Sequence, residues 1–143
     1  MAELNAVLVG PDGDRELIFI ETEKLREQLK SLHPKMLVLL VEAVRFAKKC
    51  GWTPCLTSIY RTQQENRNAG AETEIHCTIP HRAVDLRTKN VNPTYVSDLD
   101  KHLDTNWIYD PMRPKLTCSY EKLHGTGPHL HLQVCDATVR RTK

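Results

Sequence analysis

The chain has 143 residues, of which 40% are hydrophobic and 27% are charged, and its formal net charge is +2. This length is close to that of one domain, so we expect residues 1–143 to form a single domain. The small net charge argues against a broad basic surface for nucleic acid, and we expect a monomer that binds neither nucleic acid nor membranes.

The sequence has no feature of a targeting signal. Its start has no charged region ahead of an apolar run, and the most apolar stretch, Met36–Val41, is far too short to cross a bilayer. We therefore expect synthesis in the cytoplasm without a signal peptide. The five cysteines are an odd number without a Cys-x-x-Cys pair, which argues against a disulfide framework and a structural zinc knuckle.

The first third of the chain predicts a hairpin and two helices. Two β-prone runs, Ala6–Val9 and Glu16–Ile20, flank a strong turn signal. A helical pattern over Thr22–Leu32 follows, and Pro34 suits the first turn of the next helix. That second helix, Lys35–Lys49, is apolar on most faces, so we expect it to be the central helix of the core.

The remainder of the chain alternates short strands with polar helices. Strands are predicted over Thr53–Tyr60, His81–Leu86, Trp107–Tyr109 and His129–Val134. Helices are predicted over Thr62–Asn68 and Pro93–Leu103. The pattern as a whole indicates an α+β domain.

The last predicted strand carries two histidines on one face. Strand alternation gives it an apolar face and a polar face. The apolar face has Leu130, Leu132 and Val134, and the polar face has His129, His131 and Gln133. For an isolated His-x-His, solvated surface histidines would be the more common explanation.

Two further segments carry side chains that could bind a metal ion or a substrate. In the strand His81–Leu86, Asp85 shares a face with the small Ala83, which leaves room for a metal ion or a substrate beside the carboxylate. An exposed strand carboxylate is the alternative. Arg61 follows a strand end, where it could hold an anion bidentately or form a surface salt bridge.

These motifs in this order resemble a known family. Ser58-Ile59-Tyr60-Arg61-Thr62, then Ala83-Val84-Asp85-Leu86, then His129-Leu130-His131 are similar to the zinc peptidases of the D-Ala-D-Ala carboxypeptidase and murein endopeptidase group, above all to phage-type members. That group shares its fold with the Hedgehog signalling domain. The resemblance implies a small antiparallel sheet flanked by helices, with one zinc ion.

The resemblance implies a metal-ligand set with one ambiguous position. The family pattern is Ser-x-His-x-x-Gly-x-Ala-x-Asp, in which the histidine and the aspartate bind zinc. Aligning the aspartate with Asp85 places Thr78 at the expected histidine. A two-residue insertion, Ile79-Pro80, would instead bring His76 to that position, and we assign His76 as the ligand. His81 is the rival, because it shares the strand face of Asp85.

The third ligand and the catalytic groups follow from the same resemblance. In the endopeptidase branch the second histidine of His-x-His binds zinc, which implies His131 as a ligand and His129 as an acid/base or oxyanion-stabilising group. Other branches use Glu-x-x-His, which Glu121 and His124 match, and Glu121 is an alternative proton carrier. Arg61 is expected to bind a substrate carboxylate or the oxyanion.

A three-ligand zinc site with one open position is the arrangement of hydrolytic centres. We therefore expect a metallopeptidase that hydrolyses a peptide bond in the stem or cross-link peptides of peptidoglycan, as a carboxypeptidase or an endopeptidase. The expected absence of a signal peptide suits a phage or prophage lysis enzyme, an endolysin that acts on the cell wall after release. The alternative is a non-catalytic structural or binding module that retains the zinc site.

Overall fold

A computed structural model describes residues 4–59, 79–123 and 127–141 of the chain. Within these ranges the fold is α+β, with eight strands and three helices. The strands are β1 (Asn5–Val9), β2 (Arg15–Ile20), β3 (Cys55–Ser58), β4 (Ala83–Arg87), β5 (Trp107–Ile108), β6 (Ser119–Lys122), β7 (His129–Gln133) and β8 (Val139–Arg140). The helices are α1 (Lys24–Leu29), α2 (Pro34–Cys50) and α3 (Pro93–Asn106).

Six of the strands form one mixed sheet in the order β1-β2-β3-β4-β7-β6, while β5 and β8 form a separate antiparallel pair. The expectation of an antiparallel sheet is therefore correct for four of its pairings and wrong for one, since β2 and β3 are parallel. The reason is topological. Helices α1 and α2 connect β2 to β3, and a helical crossover of this kind returns the chain in its original direction.

Helix α2 has the sequence signals that its ends require. Pro34 lies in the first turn, and the His33 ring at the N-cap accepts a hydrogen bond at Nδ1 from the backbone N–H of Lys35 at 3.1 Å. Gly51 ends the helix with a φ of 118°, a left-handed conformation that favours glycine. The predicted core helix is confirmed within one residue at each end.

Other elements differ from the sequence expectation. Helix α1 covers only six residues, Lys24–Leu29, and α3 continues to Asn106, beyond the predicted end. Strand β6 was not expected, because Ser119–Lys122 has no apolar alternation, and it forms by pairing with the adjacent edge of β7. The predicted helix Thr62–Asn68 lies outside the described residues.

Helices α2 and α3 pack together and cover one face of the sheet. That face has a continuous apolar surface across the central strands, formed by Leu56, Val84, Leu86, Leu130 and Leu132. The alternation predicted for the last strand is confirmed, because its leucines lie in this core. The side chains at the alternate positions of β4 and β7 consequently lie on the opposite face. No helix in the described ranges is long and apolar enough to span a membrane.

Two carboxyl groups of α3 lie against β6. The Ser119 hydroxyl lies 2.5 Å from Oδ1 of Asp100 and 3.3 Å from Oδ1 of Asp104. Burial raises the pKa of Asp104 to about 6, and the negative charge of Asp100 adds to the effect, although Ser119 and Arg141 oppose it. When the pKa of a carboxyl group is higher in the folded than in the unfolded chain, the group destabilises the fold at pH values at which the unfolded chain has lost the proton.

We predict that Asp104→Asn stabilises the protein above pH 6 and has little effect at pH 4. The folded chain retains the Asp104 proton up to a pKa of about 6, whereas the unfolded chain releases it near its ordinary value. Wild-type stability should therefore fall between about pH 4 and pH 6. Solvent screens this partly buried group, so we expect the free energy of unfolding of the variant to exceed that of wild type by only about 1 kcal/mol at pH 7.5. Urea unfolding measures both values. An equal gain at pH 4 would contradict the assignment.

Candidate metal centre

Strands β4 and β7 bring Asp85 and His131 directly opposite each other. The two residues are Cα partners in the antiparallel register, with Arg87 paired to His129 and Ala83 paired to Gln133 on either side. Side chains at directly opposed positions lie on the same face of the sheet. Asp85 is 1% exposed and His131 is 2% exposed, so the interpretation of these groups as solvated surface residues is wrong.

A chain of hydrogen bonds fixes the ring of His131. The Gln133 side-chain N–H₂ group donates to the backbone carbonyl of Thr117 at 2.9 Å, so Oε1 of Gln133 is the atom that faces His131. That oxygen lies 3.1 Å from Nε2 of His131 and can only accept. The proton of the neutral imidazole therefore lies on Nε2, and the lone pair lies on Nδ1.

In a neutral His131 the lone pair on Nδ1 would point at a carboxylate. Nδ1 of His131 lies 3.0 Å from Oδ1 of Asp85. Both atoms are acceptors when the imidazole is neutral, and two buried acceptors at this distance repel unless a cation, either a proton or a metal ion, lies between them. The pair could therefore hold either a shared proton or a metal ion.

His129 faces the same carboxylate in the same way. Its Nδ1 lies 3.0 Å from the backbone carbonyl of Gly127, which only accepts, so the proton is on Nδ1 and the lone pair is on Nε2. Nε2 lies 3.5 Å from Oδ2 of Asp85.

The described residues of this face could supply only part of a metal site. Within residues 4–59, 79–123 and 127–141, no group of three or more His, Cys, Asp or Glu side chains is arranged to hold a metal ion. A metal site that included Asp85 and His131 would need a further ligand from outside the described residues. The expected third ligand, His76, and the expected substrate-binding Arg61 both lie outside the described residues.

The structure does not bring Glu121 to this site. Glu121 pairs with Leu130 in the β6–β7 register, whereas Tyr120 pairs with His131. Glu121 is therefore on the face that the helices cover, and it is exposed near the edge. His124, its partner in the alternative Glu-x-x-His motif, lies outside the described residues.

His81, the rival to His76, is close to β4 in sequence but bonds to another segment. Its backbone N–H donates to Ser31 and its carbonyl accepts from the N–H of His33, both at 2.8 Å. The β4 ladder begins at Ala83, so the regular alternation that would align His81 with Asp85 does not extend to it. The side chain is nevertheless buried, with 6% exposure.

Two residues that support His131 were not assigned a role from the sequence. Gln133 fixes the tautomer, and the ring of Tyr120 lies against the imidazole with centroids 4.7 Å apart and planes tilted by 36°. The signal for Gln133 was present, since it follows His129 and His131 at a spacing of two. Tyr120 could not be found this way, because its contact depends on the unexpected strand β6.

We predict that Gln133→Leu lowers zinc affinity by about 10- to 100-fold, as is usual when the hydrogen-bond partner of a ligand histidine is removed. Gln133→Glu retains an acceptor for Nε2–H of His131 and should stay closer to wild type. Competition with a chelating dye gives the dissociation constants. Equal affinities for wild type and Gln133→Leu would mean that Nδ1 of His131 does not bind the metal.

His76 and His81 can be separated by the same measurement. We expect His76→Ala to lose bound zinc and His81→Ala to retain most of it, because a ligand loss removes one of three metal bonds. Zinc content per folded chain is measured by elemental analysis after gel filtration. The opposite result would assign the third ligand to His81.

The chain was also compared with protein-family models, with curated proteins and with solved structures. No family model, no curated protein and no solved structure matches it. The resemblance to zinc peptidases therefore depends on the motifs around Arg61, Asp85 and His131, and the chemistry of the site depends on its own residues.

Proposed function

We propose that the chain is a zinc-dependent peptidase that hydrolyses a peptide bond in the stem or cross-link peptides of peptidoglycan. The observation that carries the proposal is the buried contact between Nδ1 of His131 and Oδ1 of Asp85 at 3.0 Å, in which Gln133 keeps the imidazole proton on the far side of the ring. A metal ion would relieve the repulsion between these two acceptors.

In this proposal Asp85 and His131 are two zinc ligands, and the resemblance supplies His76 as the third. A zinc ion held by these residues would supply a water with a pKa lowered towards ~7 and a Lewis acid for the peptide carbonyl. The chain contributes the orientation of the ligands. The β4–β7 register holds Asp85 beside His131, and Tyr120 and Gln133 fix the imidazole plane.

His129 is the group best placed to move a proton. Its Nδ1 proton is held by the Gly127 carbonyl, and its Nε2 faces the Asp85 carboxylate from 3.5 Å, longer than an ordinary hydrogen bond. Nε2 can accept a proton while the peptide bond is attacked and donate it to the leaving amine. At 8% exposure the ring is largely buried but borders an open cleft. Arg61 is proposed to bind the substrate or the oxyanion.

A second candidate is a non-catalytic zinc module of the same fold. The position of Glu121 favours it, because the described strands then have no carboxylate other than Asp85 on the polar face of β4, β6 and β7. Of the two expected proton carriers, His129 and Glu121, only His129 lies on that face. The two candidates share the metal site and differ in turnover.

We predict that His131→Ala and Asp85→Asn lose most bound zinc and lower hydrolysis by at least about 100-fold, because each removes a metal ligand. Glu121→Gln is the matched control, since it also removes a polar site candidate but lies on the other face. It should retain zinc and activity within about two-fold. The assay is release of new amino termini from purified peptidoglycan of several chemotypes.

Three outcomes separate the candidates. Zinc bound by wild type without release of amino termini would favour the non-catalytic module. Full zinc occupancy in both ligand variants would refute the ligand assignment. Loss of activity in Glu121→Gln with zinc retained would show that the segment containing Glu121 rearranges to reach the site.

A further inference from the structure

Strand β1 forms one edge of the six-stranded sheet, and its backbone groups point alternately towards β2 and towards the edge. The N–H of Ile20 donates to the carbonyl of Leu4 at 3.0 Å. This bond fixes the phase of the ladder, because hydrogen-bonded pairs in antiparallel strands alternate with pairs that are not bonded. Asn5, Val7 and Val9 therefore direct their N–H and carbonyl groups away from β2.

The same three residues form an exposed and uncharged surface. Their side chains lie on the face opposite the helices, where Val7 is 54% and Val9 is 46% exposed. Leu17, the β2 partner of Val7, lies beside them and is 39% exposed. Asn5–Val9 contains neither a charged residue nor a proline, the usual means by which edge strands avoid further pairing. Among the described strands only β2 pairs with β1, so its outer edge can accept another strand.

The opposite edge of the sheet is better protected. It is formed by β6, which carries the charged residues Glu121 and Lys122. Charged side chains on an edge strand disfavour pairing with a further strand. An assembly that uses the β1 edge alone closes at two copies and does not grow into a fibre.

Strand β1 is self-complementary about Val7. When two copies of β1 run antiparallel with Val7 opposite Val7, Asn5 of each copy lies opposite Val9 of the other. Each of these pairs can exchange two backbone hydrogen bonds, which gives about six bonds between the copies. On the outer face the two Val7 side chains would then lie between the two Leu17 side chains, in one apolar row across four strands.

The charges near this edge are compatible with such pairing. On the outer face of β1 and β2 the charged residue is Arg15, which pairs with Val9. Two copies paired about Val7 would hold their Arg15 residues three strand spacings and four residues apart, or roughly 20 Å. This separation exceeds the Debye length of about 8 Å at physiological ionic strength, so the repulsion between them is screened.

We propose that the chain forms a two-fold symmetric dimer in which β1 pairs antiparallel with β1 of a second copy. A second copy fits this edge because the strand is uncharged and matches itself about Val7. The dimer replaces the monomer expected from the sequence, since composition does not reveal which strand lies at an edge. The proposal is independent of the peptidase function, because β2 and β3 separate β1 from the β4 strand of the metal centre.

Sedimentation velocity over a series of protein concentrations tests the proposal. Wild type should shift from monomer to dimer as the concentration rises. Val7→Lys brings two like charges together at the two-fold axis and should raise the dimer dissociation constant at least about 10-fold. Val139→Lys is the matched control, because Val139 is also a strand valine with 43% exposure but lies on β8. It should leave the dissociation constant unchanged.

A charge swap tests the register. Val7→Glu alone should dimerise as weakly as Val7→Lys, whereas an equimolar mixture of the two variants should form a heterodimer, because opposite charges then meet at the axis. Thermal melting checks that both variants fold, as expected for a residue whose side chain is exposed. Wild type that stays monomeric into the millimolar range overturns the proposal. So does a Val7→Lys variant that dimerises like wild type, a Val139→Lys variant that is weakened equally, or a mixture that stays monomeric.

Discussion

Asp85 and His131 face each other across β4 and β7, two internal strands of the six-stranded sheet, and the site depends on this pairing. Both strands are hydrogen-bonded on both edges, so a shift of register would require breaking two ladders. A shift by one residue would also move the leucines out of the core. The stability of the apolar face therefore fixes the geometry of the polar face.

The polar face places two imidazoles beside one buried carboxylate. Two imidazole nitrogens face the Asp85 carboxylate, Nδ1 of His131 and Nε2 of His129. Gln133 orients the first ring and the Gly127 carbonyl orients the second. A proton on the His131 ring or a metal ion would each stabilise this arrangement. The metal in the proposed function is one of these two cations.

The structure separates two kinds of sequence signal. Helix α2 and strands β4 and β7 were predictable, because each has an apolar period and end signals such as Pro34 and Gly51. Strand β6 was not, because its residues have no period and depend on the edge of β7. Glu121 shows why this matters for the candidate site. It matches the Glu-x-x-His motif, but the β6–β7 register places it on the face away from Asp85 and His131.

The sequence by itself determined the α+β class, the central helix and the assignment of His129, His131 and Asp85 to polar faces, because alternation along one strand is a local property. Only the tertiary structure decided that the polar faces of β4 and β7 lie on the same side of the sheet and that this side is buried there. It also turned β3 parallel to β2 and brought Tyr120 against His131. These are pairings between segments distant in the chain, which depend on how the whole sheet packs against α2 and α3 and not on any local pattern.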